Sequence, residues 1–111
     1  MKMKTKISLV VLLLGCLVGW SARAADAGAT FAASCASCHG KDGKGQTMMG
    51  RKLGIKDLTD AKVQASFTDA DATKAIKEGV TEGGAQKMKG FGEKLSDDDV
   101  KALVAHIRSL K

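Results

Sequence analysis

The clearest amphipathic pattern lies at the end of the sequence. Apolar residues recur there at helical spacing and share one face: Val100, Leu103, Val104, Ile107 and Leu110. Ser96 and Asp99 precede this stripe with the spacing of a capping box, in which each side chain accepts from a backbone amide of the first turn. The pattern predicts a terminal helix that begins after Ser96 and buries its apolar face.

Three further helices are predicted upstream. Thr68 and Asp71 form a second capping box, and Gly79 can end that helix in the left-handed conformation. The alanine-rich residues 26–38 predict a first helix. A short helix is expected near residues 58–65.

The segments between these helices are rich in glycine and are predicted to be loops. Glycines interrupt residues 40–54 and residues 80–95: Gly40, Gly43, Gly45, Gly50, Gly54, Gly83, Gly84, Gly90 and Gly92. No sustained alternation of apolar and polar residues indicates strands. The sequence therefore predicts an all-α domain of about four helices.

The N-terminal segment has the pattern of a secretory signal peptide. Three lysines precede an apolar run over residues 7–20, and an A-x-A site follows at residues 22–24. The run is shorter than the ~20 residues that a membrane-spanning helix needs. We therefore expect cleavage after Ala24, export to the periplasm, and a single mature domain over residues 25–111 that is not stably inserted in the membrane.

A second interpretation of this segment is a lipoprotein signal. Leu13-Leu14-Gly15-Cys16 resembles a bacterial lipobox, and acylation of Cys16 would tether the protein to the membrane. Because the apolar run continues past Cys16 as far as Trp20, cleavage after Ala24 is the stronger interpretation.

Cleavage would change the charge and the aromatic content of the mature chain. It removes four of the 18 basic residues and none of the 12 acidic ones, so the formal charge falls from +6 to +2. A nucleic-acid partner is therefore disfavoured, because phosphate-binding surfaces need a strong basic excess. The mature chain also keeps only Phe31, Phe67 and Phe91 as aromatic residues, which is a thin core for a small domain.

The chemistry is concentrated in Cys35-Ala36-Ser37-Cys38-His39. Structural zinc needs four ligands, usually as two separated pairs, and adjacent Cys38 and His39 cannot easily face one tetrahedral ion. A thioredoxin-like dithiol needs a βαβ context, which the sequence lacks. A disulfide between Cys35 and Cys38 would close a very small loop and stabilise little.

The pattern C-x-x-C-H is instead the attachment signature of haem c. Cys35 and Cys38 would add to the two vinyl groups of one porphyrin, and neutral His39 would bind the iron from one side. A single covalent haem would also supply the bulk that the core lacks. The second axial ligand has four candidates: Met48, Met49, Met88 and His106. Met88 is favoured, because Lys87, Lys89 and nearby glycines give it little reason to be a core residue.

The whole mature chain resembles the small monohaem class I cytochromes c. The resemblance rests on C-x-x-C-H, on Phe31 before it, on the I-x-x-G at residues 76–79, and on Met88-Lys89-Gly90-Phe91 with the L-S and L-x-x-x-I segments that follow. It implies the fold of that class, Met88 as distal ligand, and a crossing of the first and last helices near Phe31 and His106.

The chain also departs from the family. It contains no proline, so Lys89 stands where a proline often follows the distal methionine, and the usual proline carbonyl partner of His39 is missing. Ala27 stands in place of a glycine at the helix crossing, and His106 in place of an aromatic residue.

His/Met coordination leaves the iron no open site, so the sequence predicts an electron carrier rather than an enzyme. Its partners would be redox proteins, and we expect the protein to bind them transiently as a monomer. Candidate steering charges are Lys41, Lys44, Lys52, Lys87 and Lys89, although they are equally consistent with solvated surface. Two alternatives stay open: a relay subunit of a larger dehydrogenase or oxidase, and an open-site haem enzyme or sensor if Met88 does not bind.

Overall fold

The computed structural model describes residues 22–111 of the chain, with side chains described from residue 26 onward. This part forms six helical segments and one hairpin: α1 (Ala22–Ser34), α2 (Ala36–His39), α3 (Met48–Leu53), α4 (Ala61–Ala65), α5 (Asp69–Glu78), β1 (Gly79–Glu82), β2 (Ala85–Lys89) and α6 (Asp97–Arg108). The predicted signal peptide, except for residues 22–24, and the lipobox cysteine Cys16 lie outside the described residues.

The core is built by α1, α5 and α6. Their buried residues form one cluster: Ala27, Phe31, Ala72, Ile76, Val100, Leu103 and Val104. Helices α1 and α5 both pack against α6, and its apolar stripe is confirmed as the buried face. Phe31, Val100 and Leu103 are the most completely buried large side chains, each contributing about 1.5–3 kcal/mol by burial.

Both predicted capping boxes are confirmed. The Thr68 hydroxyl accepts from the Asp71 amide at 3.0 Å, and the Asp71 carboxylate accepts from the Thr68 amide at 2.9 Å. Ser96 and Asp99 make the same reciprocal pair at the start of α6. These local signals place the helix starts where the sequence predicts them, because a cap depends on residues only three apart.

The first predicted helix is present but divided. Cys35 separates α1 from α2 with φ −114° and ψ −30°, while its amide still donates to the Phe31 carbonyl at 2.9 Å. The amides of Cys38 and His39 then both donate to the Cys35 carbonyl, at 3.2 and 2.9 Å. The division is therefore a local tightening of one turn.

The loop predicted over residues 40–54 is wrong in its second half, where α3 forms. Thr47 caps its start by accepting from the Gly50 amide, and Gly54 ends it in the left-handed conformation at φ 67° and ψ 37°. Threonine at the start and glycine at the end are ordinary capping residues of a helix. The density of glycines hid this signal.

The loop predicted over residues 80–95 is wrong in its first half, where β1 and β2 pair as an antiparallel hairpin with Val80 opposite Met88. Gly83 and Gly84 form its two-residue turn with φ of 58° and 78°, and positive φ at both positions is what the favoured hairpin turn requires. Gly79 ends α5, as predicted, but with φ 81° and ψ −176°. The φ is positive, but the ψ lies outside the left-handed helical region, and the chain passes directly into β1.

The capping hydrogen bonds make α5 sensitive to acid. The Thr68 amide and hydroxyl hold the pKa of the Asp71 carboxyl below its usual value of 3.8. A lowered folded-state pKa contributes stability that is complete above the unfolded value and is lost as pH falls through the folded value. Wild-type stability should therefore fall below about pH 4, and Asp71→Ala should weaken that acid dependence.

Urea unfolding at neutral pH and at a series of acidic pH values measures this effect. Glu93→Ala is the matched control, because Glu93 is an exposed carboxylate outside the helix caps. If Asp71→Ala and Glu93→Ala change the acid dependence equally, the Asp71 cap is not its source.

Candidate functional site

The two cysteines and the histidine of the motif lie within one helical turn. Cys38 and His39 follow Cys35 by three and four residues, a spacing that places side chains on one face. Both thiols are free and half-buried, and His39 is half-buried beside them. The Gly40 amide donates to the Ala36 carbonyl at 2.8 Å and closes the turn.

Burial sets the protonation of this cluster. It raises the pKa of the Cys35 thiol, with a smaller contribution from the charge of Cys38. It lowers the pKa of the His39 imidazole. The cluster therefore presents a protonated Cys35 thiol and a neutral imidazole at neutral pH, and a neutral imidazole is the form of histidine that binds a metal.

One ring nitrogen of His39 is left without a partner. Its Nδ1 is buried and has no hydrogen bond among the described residues. A buried polar atom of this kind needs an explanation. The His39 imidazole is neutral, its Nδ1 makes no hydrogen bond to the described residues, and it lies on one turn with two free thiols. These groups fit the donor set that haem c requires.

The segment after the motif folds back onto it. The Gly45 amide donates to the His39 carbonyl at 2.7 Å, and the Thr47 hydroxyl donates to the Cys38 carbonyl at 2.7 Å. Further along, the Leu58 amide donates to the Gly43 carbonyl at 2.8 Å. These bonds hold residues 40–58 against the motif, and Thr47 is the residue there that sequence reasoning missed.

Met88 lies on β2, half-buried and packed against the core cluster. The chain at and after Met88 is fastened to the end of α5. Gly79 lies so close to the Met88 carbonyl that a Cβ there would overlap it, and the Phe91 amide donates to the Ile76 carbonyl at 2.7 Å. Met88 is therefore held by a hairpin instead of the loop that the sequence predicts.

The other candidate ligands have different surroundings. Met48 and Met49 begin α3, with exposed fractions of 83% and 41%. The His106 ring is half-buried, and its centroid lies 5.1 Å from that of Phe31. The crossing of α1 and α6 near Phe31 and His106 is thus confirmed, and its packing gives His106 a structural role. The Phe31 ring also lies 6.2 Å from the His39 ring, so it contacts both the motif and the crossing.

Gly79 should be essential to the position of Met88. Alanine at Gly79 would be strained at φ 81° and would also overlap the Met88 carbonyl, so we expect a loss of about 1–3 kcal/mol in stability. Displacement of Met88 should weaken any bond between its sulfur and iron. The measurement is the intensity of the iron–sulfur charge-transfer band in the oxidised protein.

Gly84→Ala is the matched control for this prediction. Gly84 has a similar φ of 78° but no atom within 4 Å of its Cβ position, so it reproduces the strain without the overlap. Equal weakening of the band in both variants would show that strain in the hairpin, and not contact with Met88, is responsible.

Comparison with known proteins now identifies the family. The family described as cytochrome c oxidase, cbb3-type, subunit III matches residues 22–107. The chain belongs to the cytochrome c family. Its cofactor is accordingly a covalently bound haem c, and haem-based electron transfer is the function that membership implies.

Relatives of similar length are small cytochromes. The chain is 32% identical to cytochrome c-553 of Helicobacter pylori over 92% of its own length and 97% of the relative's. It is 34% identical to cytochrome c-554(547) of Halothiobacillus neapolitanus, covering 73% of this chain and 89% of that one. The solved structure of the KustC0563 c-type cytochrome is similar with a TM-score of 0.68 at 36% identity, covering 77% of this chain and 96% of that one. The expected cytochrome c fold is confirmed.

A larger relative places the same domain in a complex. The chain is 36% identical to the cbb3-type cytochrome c oxidase subunit FixP of Azorhizobium caulinodans over 72% of this chain, but it spans only 25% of FixP. Among the described residues, no helix of this cytochrome is long and apolar enough to cross a membrane.

Proposed function

We propose that this cytochrome carries single electrons between redox proteins through one haem c, attached by Cys35 and Cys38 and coordinated by His39 and Met88. The observation that carries the proposal is the half-buried imidazole of His39, whose Nδ1 has no hydrogen-bond partner among the described residues, on the same turn as two free thiols. The bound iron supplies a one-electron couple between its ferric and ferrous states.

The chain's own residues would set the properties of this couple. His39 offers a neutral nitrogen from one side, and Met88 offers a soft thioether, which favours ferrous iron. The hairpin fastened to α5 gives Met88 a defined position, and a defined position lowers the conformational entropy that ligation would cost. With His39 and Met88 both bound to it, the iron would have no open site for bond-making, and we propose that the protein is not an enzyme.

The surface supports transient docking to redox proteins. Lys41, Lys44, Lys52 and Lys89 are exposed, and Lys87 is half-exposed. Met48 and Met49 are the exposed large apolar side chains of the described residues, and they lie on the same short helix as Lys52. Exposed lysines and a few exposed apolar side chains are suited to brief encounters with an acidic partner face.

The N-terminal pattern supports an exported protein. We propose that residues 1–24 are a signal peptide and that the mature domain, residues 25–111, works in the periplasm as a monomer. Mass spectrometry of the purified mature protein tests this point, because cleavage after Ala24 and acylation at Cys16 give different masses. A new N-terminus at Ala25 is the expected result.

FixP supports a second candidate function, since it is named as a subunit of an oxidase. In that case the same His/Met haem would be a relay fixed to one partner complex. Gel filtration of a native extract distinguishes the two: a free carrier elutes at the size of a monomer, and a relay subunit elutes with the complex.

The spectrum of the reduced protein with and without carbon monoxide tests the proposed coordination. We expect no change on adding carbon monoxide to the wild type, because Met88 occupies the sixth position. Carbon monoxide binding by the wild type would overturn the proposed carrier and favour an open-site haem enzyme or sensor.

A further inference from the structure

Thr47 joins α3 to the last turn of the haem-attachment motif. Its hydroxyl donates to the Cys38 carbonyl at 2.7 Å and accepts from the Gly50 amide at 2.8 Å. Gly50 is buried against the same carbonyl, since a Cβ there would lie only 2.6 Å from the Cys38 oxygen. One hydroxyl therefore serves both the helix cap and the peptide that links Cys38 to His39.

His39 is held through its backbone. Metal-binding histidines usually donate their other ring N–H to an acceptor, which fixes the ring orientation. Here Nδ1 has no partner among the described residues. The backbone of His39 is instead engaged on both sides: its amide donates to the Cys35 carbonyl at 2.9 Å, and its carbonyl accepts from the Gly45 amide at 2.7 Å.

We propose that Thr47 is a positioning residue for the proximal ligand, acting through the Cys38 carbonyl to set the angle at which the His39 imidazole meets the iron. The inference rests on the proposed function, because it takes His39 as a ligand. With no acceptor on the ring, the orientation of the peptide before His39 determines the orientation of the ring. Loss of the Thr47 hydroxyl leaves that peptide free to rotate and leaves its part-buried carbonyl unpaired.

The iron–histidine stretching vibration reports this angle directly. It is observed by resonance Raman spectroscopy when ferrous haem is five-coordinate, so the variants are made in a Met88→Ala background. Thr47→Val keeps the size of the side chain but removes the hydroxyl, and we expect the band to shift and broaden. Thr47→Ser restores the hydroxyl, and the band should return to its original position.

A variant of a second helix cap distinguishes the positioning of His39 from a general loss of protein stability. Asp60 caps the similarly short α4 by accepting from the Lys62 amide at 2.7 Å. Asp60→Ala should lower stability, as Thr47→Val does, but leave the iron–histidine band in place. If Thr47→Val does not accumulate as a haem protein, Thr47→Gly takes its place, since glycine is nearly as good a cap and has no hydroxyl.

Each outcome bears on a different proposal. A band unmoved by Thr47→Val or Thr47→Gly, or moved equally by Asp60→Ala, overturns the role of Thr47. Absence of any iron–histidine band from a Met88→Ala protein whose ferrous haem is five-coordinate by its optical spectrum overturns His39 as ligand and leaves the hydrogen bond of Thr47 purely structural. If Met88 is not a ligand, the band appears in the wild type, and the same comparison of Thr47 variants is made there.

Discussion

Replacing Met88 with alanine is expected to abolish the iron–sulfur charge-transfer band of the oxidised protein and to let the reduced protein bind carbon monoxide. In the proposed coordination Met88 is the sixth ligand, and because the methyl group of alanine cannot reach the iron, the sixth position would open. The reduction potential should fall as well, because the thioether that favours ferrous iron is gone. Optical spectra of both oxidation states and a redox titration measure the three effects.

Met49→Ala is the control for this experiment. Met49 is another methionine close to the motif in sequence, but it lies on α3 with 41% of its surface exposed, so its loss should leave the band and the carbon monoxide response unchanged. Loss of the band in Met49→Ala with retention in Met88→Ala would transfer the distal position to Met49. That result would leave the fold and the proposed haem attachment unchanged, but it would contradict the proposal that the hairpin positions the distal ligand.

Replacing Arg108 with alanine should lower the free energy of unfolding by roughly 2–4 kcal/mol, the largest stability effect that we expect from a residue outside the apolar core. The guanidinium donates to the Gln64 carbonyl at 2.6 Å, to the Gln64 side-chain oxygen at 2.9 Å and to the Phe67 carbonyl at 2.8 Å. It also lies 4.4 Å from the centre of the Phe67 ring. One side chain thus joins the end of α6 to α4 and to the segment between α4 and α5.

The cost is high because Gln64 is buried. Only 3% of its surface is exposed, and its amide nitrogen donates to the carbonyls of Leu58 and Ile107 at 2.6 and 2.9 Å. Removing Arg108 leaves the oxygen of this buried amide without its charged donor. Thermal unfolding should register the loss as a fall of about 10 °C or more in Tm, given 4–8 °C per kcal/mol for a domain of this size.

Asp69→Ala separates the buried contacts of Arg108 from its exposed ion pair. Arg108 donates to the Asp69 carboxylate at 2.8 Å, but 72% of the Asp69 side chain is exposed. Solvent screening limits such a pair to about 1 kcal/mol or less. A loss in Asp69→Ala as large as that in Arg108→Ala would place the stabilisation in the ion pair and not in the contacts to Gln64 and Phe67.

The helices could be predicted because their signals are local. Thr68 with Asp71, and Ser96 with Asp99, satisfy amides within one turn, and the stripe on α6 repeats within the same helix. The two errors are also local in origin. Thr47 and Gly54 bound α3, and Gly83-Gly84 is a hairpin turn, but both signals lay in stretches where many glycines indicated a loop.

The roles of individual side chains were harder to predict. Gln64 and Arg108 carry no sequence signal that would pair them, since 44 residues separate them. From the sequence, Thr47 is a polar residue in a predicted loop. Only the structure shows that its hydroxyl donates to the Cys38 carbonyl. Such contacts depend on how separate segments pack, and the periodicity of the sequence does not predict them.

The sequence by itself determined the cofactor chemistry of this cytochrome. Two thiols and an imidazole at i, i+3 and i+4 fall on one turn wherever the backbone is close to helical, because helix geometry sets that spacing. Only the tertiary structure decided how Met88 is held. Its position depends on the pairing with Val80, the close approach of Gly79, and the bond from Phe91 to α5, and these contacts exist only once the helices have packed.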